Sequence, residues 1–575
     1  MQVYGINKFC YECGCRITAT DNFCPQCGTQ LNFPQEQADN TAPKYTSAKY
    51  FDIDIPKHSR SISAAGGYIL THVQALARHL HTEYDKIMEI LNEFSYLRSK
   101  TGVAYRIIDM SNRIPNPSNG NWMACSKAVA ERYAEDLTKG IAIDYLFIIG
   151  GCDIVPMPSI PIKVSEYDND IDSDFPYCWL YKEGIENRIR DLTLFTSDMQ
   201  LWCGRLPLAS NTTLNDFVTM LSNALEVGKN GLPNLNIHAQ SDPNWKEVTS
   251  MVASDFSEYM PVCDERSDFF HGPVMLTPEQ RPGTDIFDTH FPYHSSSVFY
   301  YNLHGGNEPG INKFSGNSKG RSIMHDALYP NHMAAVSKLN AVMTEACYGG
   351  WFRMTNRRQE SKQKHETILL AAMHAATVCY VGSSRVAYGI CDKDLHDGGV
   401  PRCADVFARE FLHSLYAGYP AGVALWHARK AFCNRPIDPY ELITVFEFNL
   451  FGDPGLSAII GPDRPDCRYR KSALLNEEVL MQSRHEVVYE AAGSNGILGY
   501  VRGLVDGNLQ EINSVITQHL YAQYGVKPRK LSRVLSSNTS DGGRKYVCCY
   551  AADGGEWVVG IEARGGRILY TACSK

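Results

Sequence analysis

Two apolar runs constrain this chain more than any other feature. Val298-Phe299-Tyr300-Tyr301-Asn302-Leu303 stops at His304-Gly305-Gly306, and Leu339-Asn340-Ala341-Val342-Met343-Thr344 stops at Glu345-Ala346-Cys347-Tyr348-Gly349-Gly350. Runs rich in aliphatic and aromatic residues that break at glycine read as buried strands. Placed side by side and parallel, they bring His304 and Cys347 together at the carboxyl edge of one sheet, where open α/β folds keep their sites. A thiol needs a nearby base, and glycines behind it let backbone N–H groups face a developing oxyanion. A buried structural cysteine and a loop histidine are the ordinary fate of either residue alone. Two strand ends that match this well favour the dyad.

The rest of the composition bounds the setting. At 575 residues the chain exceeds one hydrophobic core, and three or four domains are expected. A net charge of −8 offers no bulk attraction to nucleic acid. No apolar run reaches the ~18 residues of a membrane span. The opening Met1-Gln2-Val3-Tyr4-Gly5 has no basic region leading into an apolar segment, so no secretory signal is read. The 19 cysteines are odd in number and scattered, with Cys379 and Cys548 inside apolar runs. That usage fits a reducing, cytoplasmic setting, not a disulfide framework.

Residues 1–32 carry Cys10-x-x-Cys13 and Cys24-x-x-Cys27, with glycine after Cys13 and after Cys27. This is the spacing of a short four-cysteine zinc ribbon. Four thiolates close the coordination of one Zn²⁺, so the metal is expected to be structural. A segment this small folds on metal binding, not on apolar burial. Residues 33–49 are polar and contain proline, as a linker does.

Residues 50–235 and 236–465 alternate helical and strand patterns, which predicts doubly wound α/β architecture in two subdomains. In the first, a helix is expected over Thr71–Leu97, a strand over Val103–Ile108, a helix near Ser126–Gly140, and a buried strand over Ile143–Ile149 ending at Gly150-Gly151. In the second, helices are expected over Trp245–Tyr259, Glu366–Ala376, Ala404–Ala417 and Ala421–Phe432, and a strand over Thr377–Val381. His374, His413 and His427 lie on these helices and read as packing or surface residues. The acidic loop 166–174 has two readings: alternating carboxylates that coordinate Ca²⁺, or a solvated acidic loop. The missing EF-hand glycine and closing glutamate favour the second. Residues 470–575 pattern as a helix near Leu509–Tyr524 followed by short antiparallel strands, a small α+β accessory domain.

Five blocks in order resemble the gingipain-like cysteine peptidases of the caspase-like clan: Gly204-Arg205-Leu206-Pro207, Leu303-His304-Gly305-Gly306, Glu345-Ala346-Cys347, Gly382-Ser383-Ser384 and Leu450-Phe451-Gly452-Asp453-Pro454. Asp153-Ile154-Val155-Pro156 and Ser173-Asp174-Phe175-Pro176-Tyr177 also resemble punctuation of that fold. The resemblance covers about residues 100–460. It implies a caspase-like α/β sandwich with Cys347 as nucleophile and His304 as general base and acid. It also implies an oxyanion hole from the backbone N–H groups of Gly305 and Cys347. In that family a Ser-Asp pair opens the helix before the histidine strand and lines the primary pocket. Ser241-Asp242 stands in a similar place, although farther from His304 than in the family. Ser383, Ser384 and Tyr388 would form the opposite wall. An aspartate there implies cleavage after Arg or Lys. A plain helix N-cap is the other reading of Asp242. The family's upstream triad carboxylate is not placed by the resemblance, and neither the zinc ribbon nor the α+β tail belongs to the gingipain pattern.

These observations together lead to an expected function: an intracellular cysteine endopeptidase acting on protein or peptide, gated by a regulatory partner, with bacterial defence as one setting that such domain company suggests. A silent caspase-like scaffold docked through the ribbon is the rival from another class. A transpeptidase or ligase of the legumain kind would use the same dyad.

Overall fold

Strands whose residues are buried on both faces form the centre of this molecule. Tyr145–Ile149, Val298–Asn302, Asn340–Thr344 and Phe448–Gly452 are each buried throughout, the pattern of strands covered by helices on both sides. A computed structural model describes residues 8–9, 16–17, 49–51, 65–161, 170–180, 199–254, 256, 296–306, 312–317, 324–354, 359–397, 399–433, 437–460, 486–490, 509–524, 528–538, 544–552, 555–562 and 568–574.

The strands are numbered in chain order. β1 (Lys8–Phe9) and β2 (Arg16–Ile17) pair antiparallel and bracket Cys10-x-x-Cys13 in sequence. Cys10, Cys13, Cys24 and Cys27 lie outside the described residues. One nine-stranded sheet follows, in the order β4-β3-β5-β8-β17-β15-β14-β10-β9. Its members are β3 (Ala65–Thr71), β4 (Val103–Asp109), β5 (Tyr145–Ile149), β8 (Trp202–Leu206), β9 (Ile237–Ser241), β10 (Val298–Asn302), β14 (Asn340–Thr344), β15 (Thr377–Ser383) and β17 (Phe448–Gly452). All neighbours run parallel except β15 and β17. The sheet therefore consists of two oppositely directed parallel halves that share one ladder and one continuous core, and β17, from late in the chain, completes the half formed by β3, β4, β5 and β8. Two small ribbons stand apart: β6 (Ser159–Ile160) with β7 (Ile171–Asp172), and β11 (His304–Gly306), β12 (Lys313–Asn317) and β13 (Met324–Leu328).

Local chemistry sets the helix limits. The helix Leu214–Asn230 opens on a capping box between Thr213 and Asp216 and closes at Gly231, whose φ of +74° suits glycine. The single helix expected over Thr71–Leu97 is two, Val73–His79 and Tyr84–Thr101. The break falls at His81, which takes a left-handed φ of +50°. The helix Pro439–Glu447 runs directly into β17.

The motif residues singled out in the sequence form a set of buried clamps. Arg205, fully buried on β8, grips both Asp174 carboxylate oxygens at 2.7 and 2.6 Å. Its remaining nitrogen donates to the carbonyls of Gly150 and Val155. The Tyr177 hydroxyl donates to Pro156 O at 2.7 Å. Three sequence blocks thus meet on one guanidinium, whose planar fork suits bidentate pairing. Asp453 is held likewise, by Arg98 at 2.6 Å and by the Tyr105 hydroxyl.

Beyond residue 485, β18 (Glu486–Glu490), β19 (Pro528–Asn538), β20 (Arg544–Ala552), β21 (Gly555–Glu562) and β22 (Ile568–Ser574) form an antiparallel meander, with the helix Leu509–Tyr524 against it. It has its own small core, built on Ile516, Leu520, Tyr546, Cys548, Tyr550, Val559 and Ile561. A sixth strand joins its edge from the first part of the chain: β16 (Tyr388–Gly389) pairs with β22. No helix among the described residues is long and apolar enough to cross a membrane.

Candidate active site

Three adjacent parallel strands deliver the candidate groups to one sheet edge. β10 pairs with β14 in the register Tyr301↔Thr344, and His304 and Cys347 each lie three residues beyond that pair. β9 pairs with β10 through Asn302↔Ser241, and the next residue, Asp242, donates its N–H to Asn302 O at 2.9 Å. Alternation along a strand makes register decide which residues meet. Here it aligns an aspartate, a histidine and a cysteine.

Gly305 brings the histidine and cysteine segments into backbone contact. A Cβ built on Gly305 would lie 1.8 Å from the Cys347 carbonyl oxygen and 3.1 Å from its nitrogen. No residue but glycine fits that approach. The His304 ring is part-exposed, with Nε2 3.7 Å from Asp242 Oδ2, while Asp242 is fully buried. That separation is within ion-pair reach and longer than a hydrogen bond. The Trp245 ring centroid lies 4.4 Å from that of His304 and forms a wall beside it. Cys347 is almost fully buried, and its Sγ lies 3.8 Å from Ala387 O.

The backbone behind Cys347 is fixed tightly. Tyr348 takes a left-handed φ of +56°. Its N–H donates to Arg385 O at 2.7 Å, that of Gly349 to Ala346 O at 3.0 Å, and that of Gly350 to Ser383 O at 2.7 Å. This corrects the expectation that the glycines after the cysteine free N–H groups for an oxyanion: those donors are already committed to carbonyls. The glycines serve close packing instead. A Cβ on Gly350 would lie 2.4 Å from Gly382 O.

The remaining residues singled out in the sequence sit as follows. Asp242, expected at the base of a substrate pocket, caps a turn through Oδ1, which accepts from Asn244 N–H at 2.8 Å, and turns Oδ2 toward His304. The N-cap reading therefore holds, and the carboxylate faces the imidazole. Ser383, Ser384 and Tyr388 do lie beside the cysteine loop, but all three are buried. The Ser383 hydroxyl donates to Arg385 O at 2.8 Å, the Ser384 hydroxyl donates to Asp172 O at 2.6 Å, and the Tyr388 ring packs edge-on against Tyr440. Neither serine presents its hydroxyl as an open pocket wall. In the acidic loop, two of the described carboxylates are paired with arginines, while Asp170 is part-exposed. Asp172 meets Arg353 at 2.7 Å and Arg385 at 3.1 Å, and Asp174 meets Arg205. Burial raises the Asp172 carboxyl above its usual range, against the pull of the two guanidiniums. Asp172 and Asp174 are thus buried and paired, not solvated, and residues 166–169 of the loop lie outside the described residues. Among the described residues there is no group of three or more metal-ligating side chains.

His374 and His427 are packing residues, bonded to Thr212 and Ser414, and burial lowers each to about 4. The sequence reading missed two features. Ile237-His238-Ala239-Gln240-Ser241 alternates apolar and polar residues, the one local signal that Asp242 follows a third strand end. Trp245 was read only as the start of a helix.

The family model for peptidase family C25 matches residues 80–458. Two solved structures are similar to this chain. One, described as "Structure of Protease", is 9% identical with a TM-score of 0.40, over 87% of this chain and 97% of the other. The second, the Arg-specific cysteine proteinase gingipain R, is 11% identical with a TM-score of 0.41, over 88% of this chain and 96% of the other. No curated protein matches.

Proposed function

We propose, from the premise that the chain belongs to peptidase family C25 and is a cysteine endopeptidase, that its reaction runs through Cys347 and His304 with Asp242 as the positioning carboxylate. The observation that carries this is the alignment of β9, β10 and β14, which brings all three residues to one sheet edge. Cys347 Sγ attacks the scissile carbonyl and forms the acyl-enzyme. His304 takes the thiol proton and gives it to the leaving amine, then removes a proton from the water that resolves the acyl-enzyme. Because Nε2 faces Asp242, Nδ1 is the nitrogen left for this transfer. The buried carboxylate stabilises the imidazolium and fixes the ring, which also leans on Trp245. The oxyanion donors in this reading are the N–H groups of Cys347 and Gly305, whose peptide units lie in contact.

Three finer elements belong to the same reading. The four cysteines of residues 1–32 hold one structural Zn²⁺, supported by their spacing. The setting is a reducing one, supported by ten free cysteines among the described residues. The ribbon is a docking arm for a regulatory protein. Cleavage after Arg or Lys was expected because Asp242 was read as a pocket residue. Its contact with His304 favours the positioning role, so substitution should slow all peptides alike.

The deciding experiment is labelling by a thiol-reactive peptide probe, together with turnover of a peptide library. Cys347→Ala should abolish both, and His304→Ala should abolish turnover while the protein stays folded. Unaltered turnover by Cys347→Ala would sink the assignment. A wild-type protein that neither turns over peptides nor takes the probe would restore the silent-scaffold reading.

A further inference from the structure

The accessory domain touches the catalytic part at one telling place. β22 pairs antiparallel with β16 through Tyr388↔Ser574 and Gly389↔Cys573. β16 begins one residue after Ala387, whose carbonyl lies 3.8 Å from Cys347 Sγ. The domain has a hydrophobic core separate from the main one, so it can leave without opening the core beneath the active site.

An extended peptide delivered to Cys347 needs a backbone to pair with. On one side of the thiol stands the His304 segment, in contact through Gly305. On the other stands the 385–389 segment, whose Arg385 and Ala387 carbonyls face the cysteine loop. Strand addition to such an edge is a general mode of peptide recognition, with main-chain hydrogen bonds giving the affinity. β22 pairs with the end of this same segment, at Tyr388 and Gly389.

We infer that residues 387–389 form the strand on which a substrate main chain docks, and that β22 fills this edge as a built-in competitor, so that the accessory domain holds the enzyme closed until it is displaced. The inference rests on Cys347 being the nucleophile. It identifies the occupant as this chain's own strand, and the displacing agent as a partner that binds the accessory domain or a substrate that pairs more extensively. Only two residue pairs join β16 and β22, so the contact is weak enough to exchange.

The test uses the full chain and two probes of one thiol. Ser574 pairs with Tyr388 and lies past Cys573, the last β22 residue paired with β21. Ser574→Pro places a rigid residue without an N–H opposite Tyr388 and leaves the accessory meander its own ladder. The rate of Cys347 labelling by an extended peptidyl probe should rise about fivefold or more, from the loss of backbone pairing. Labelling by iodoacetamide, which needs no strand edge, should stay unchanged. A second variant works in the opposite direction. Gly389→Cys places a thiol directly opposite Cys573, at a separation a disulfide spans. Oxidation should close the edge and slow the peptidyl probe, and reduction should restore it, with wild-type protein treated in parallel. Peptidyl labelling unchanged in Ser574→Pro, or a rise shared equally by iodoacetamide, would overturn the inference, as would an oxidised Gly389→Cys protein that labels as fast as the reduced one. Failure of wild-type Cys347 to label at all would instead strike the nucleophile assignment.

Discussion

Gly305→Ala is the substitution that most directly probes how the site is held. The added methyl would sit 1.8 Å from the Cys347 carbonyl oxygen and 2.8 Å from its carbon. Both obstacles are backbone atoms, so no side chain can swing away. Bringing the nearest contact back to an ordinary distance moves the two segments apart by about 1 Å or more. Such a displacement separates nucleophile from base, and a misplacement of about 1 Å costs on the order of 100-fold in rate. The same overpacking should lower stability by about 1–3 kcal/mol. Gly306→Ala is the internal control, because a Cβ there meets nothing within 4 Å. Both variants would be assayed for kcat/KM on one fluorogenic peptide, with thermal unfolding measured alongside. The expected result is a folded Gly305→Ala protein with kcat/KM reduced about 100-fold, and a Gly306→Ala protein near wild type. Full activity in Gly305→Ala, or equal losses in both variants, would refute the argument that backbone contact sets the dyad.

Asp242→Asn should lower kcat on every peptide by a similar factor, on the order of ten- to a hundredfold; losses confined to Arg and Lys peptides would return Asp242 to the pocket. The purified protein should carry about one Zn²⁺ by metal analysis and lose it in Cys10→Ser/Cys13→Ser, with peptide hydrolysis retained because a four-thiolate site has no open position. Acid should destabilise the fold through its buried histidines: burial lowers His238, His374 and His427 to about 4 and His332 to about 3. These folded values lie below the unfolded one, so the stabilisation is complete above about pH 6.5 and is lost as pH falls through about 4, or about 3 for His332, at about 3 kcal/mol for each of the first three. Urea melts across that range should show it, and a flat profile would contradict the burial of these rings.

The sequence by itself determined the local alphabet of this protein and the two reactive ends. Burial on both faces wrote Tyr145–Ile149 and Val298–Asn302 as unbroken apolar runs, and the limits of the helices Ala404–Tyr416 and Leu509–Tyr524 could be read to within a residue. His304 and Cys347 were legible because each terminates such a run at glycine, a signal contained within about ten residues of chain. The role of Asp242 was not legible. Its own stretch looks like a helix cap and is one, and only the β9–β10 register turns the same carboxylate toward His304. The joining of two subdomains into one ladder through β17 and β8 was also hidden, as was the commitment of the N–H groups behind Cys347. The same holds for β22, which meets β16 from 186 positions down the chain, Tyr388 against Ser574. Hydrophobic period and turn chemistry act between near neighbours and leave a mark in the local sequence. Strand order, register and the sharing of a backbone edge are fixed by which distant surfaces bury one another, and that competition is settled only when the whole chain packs.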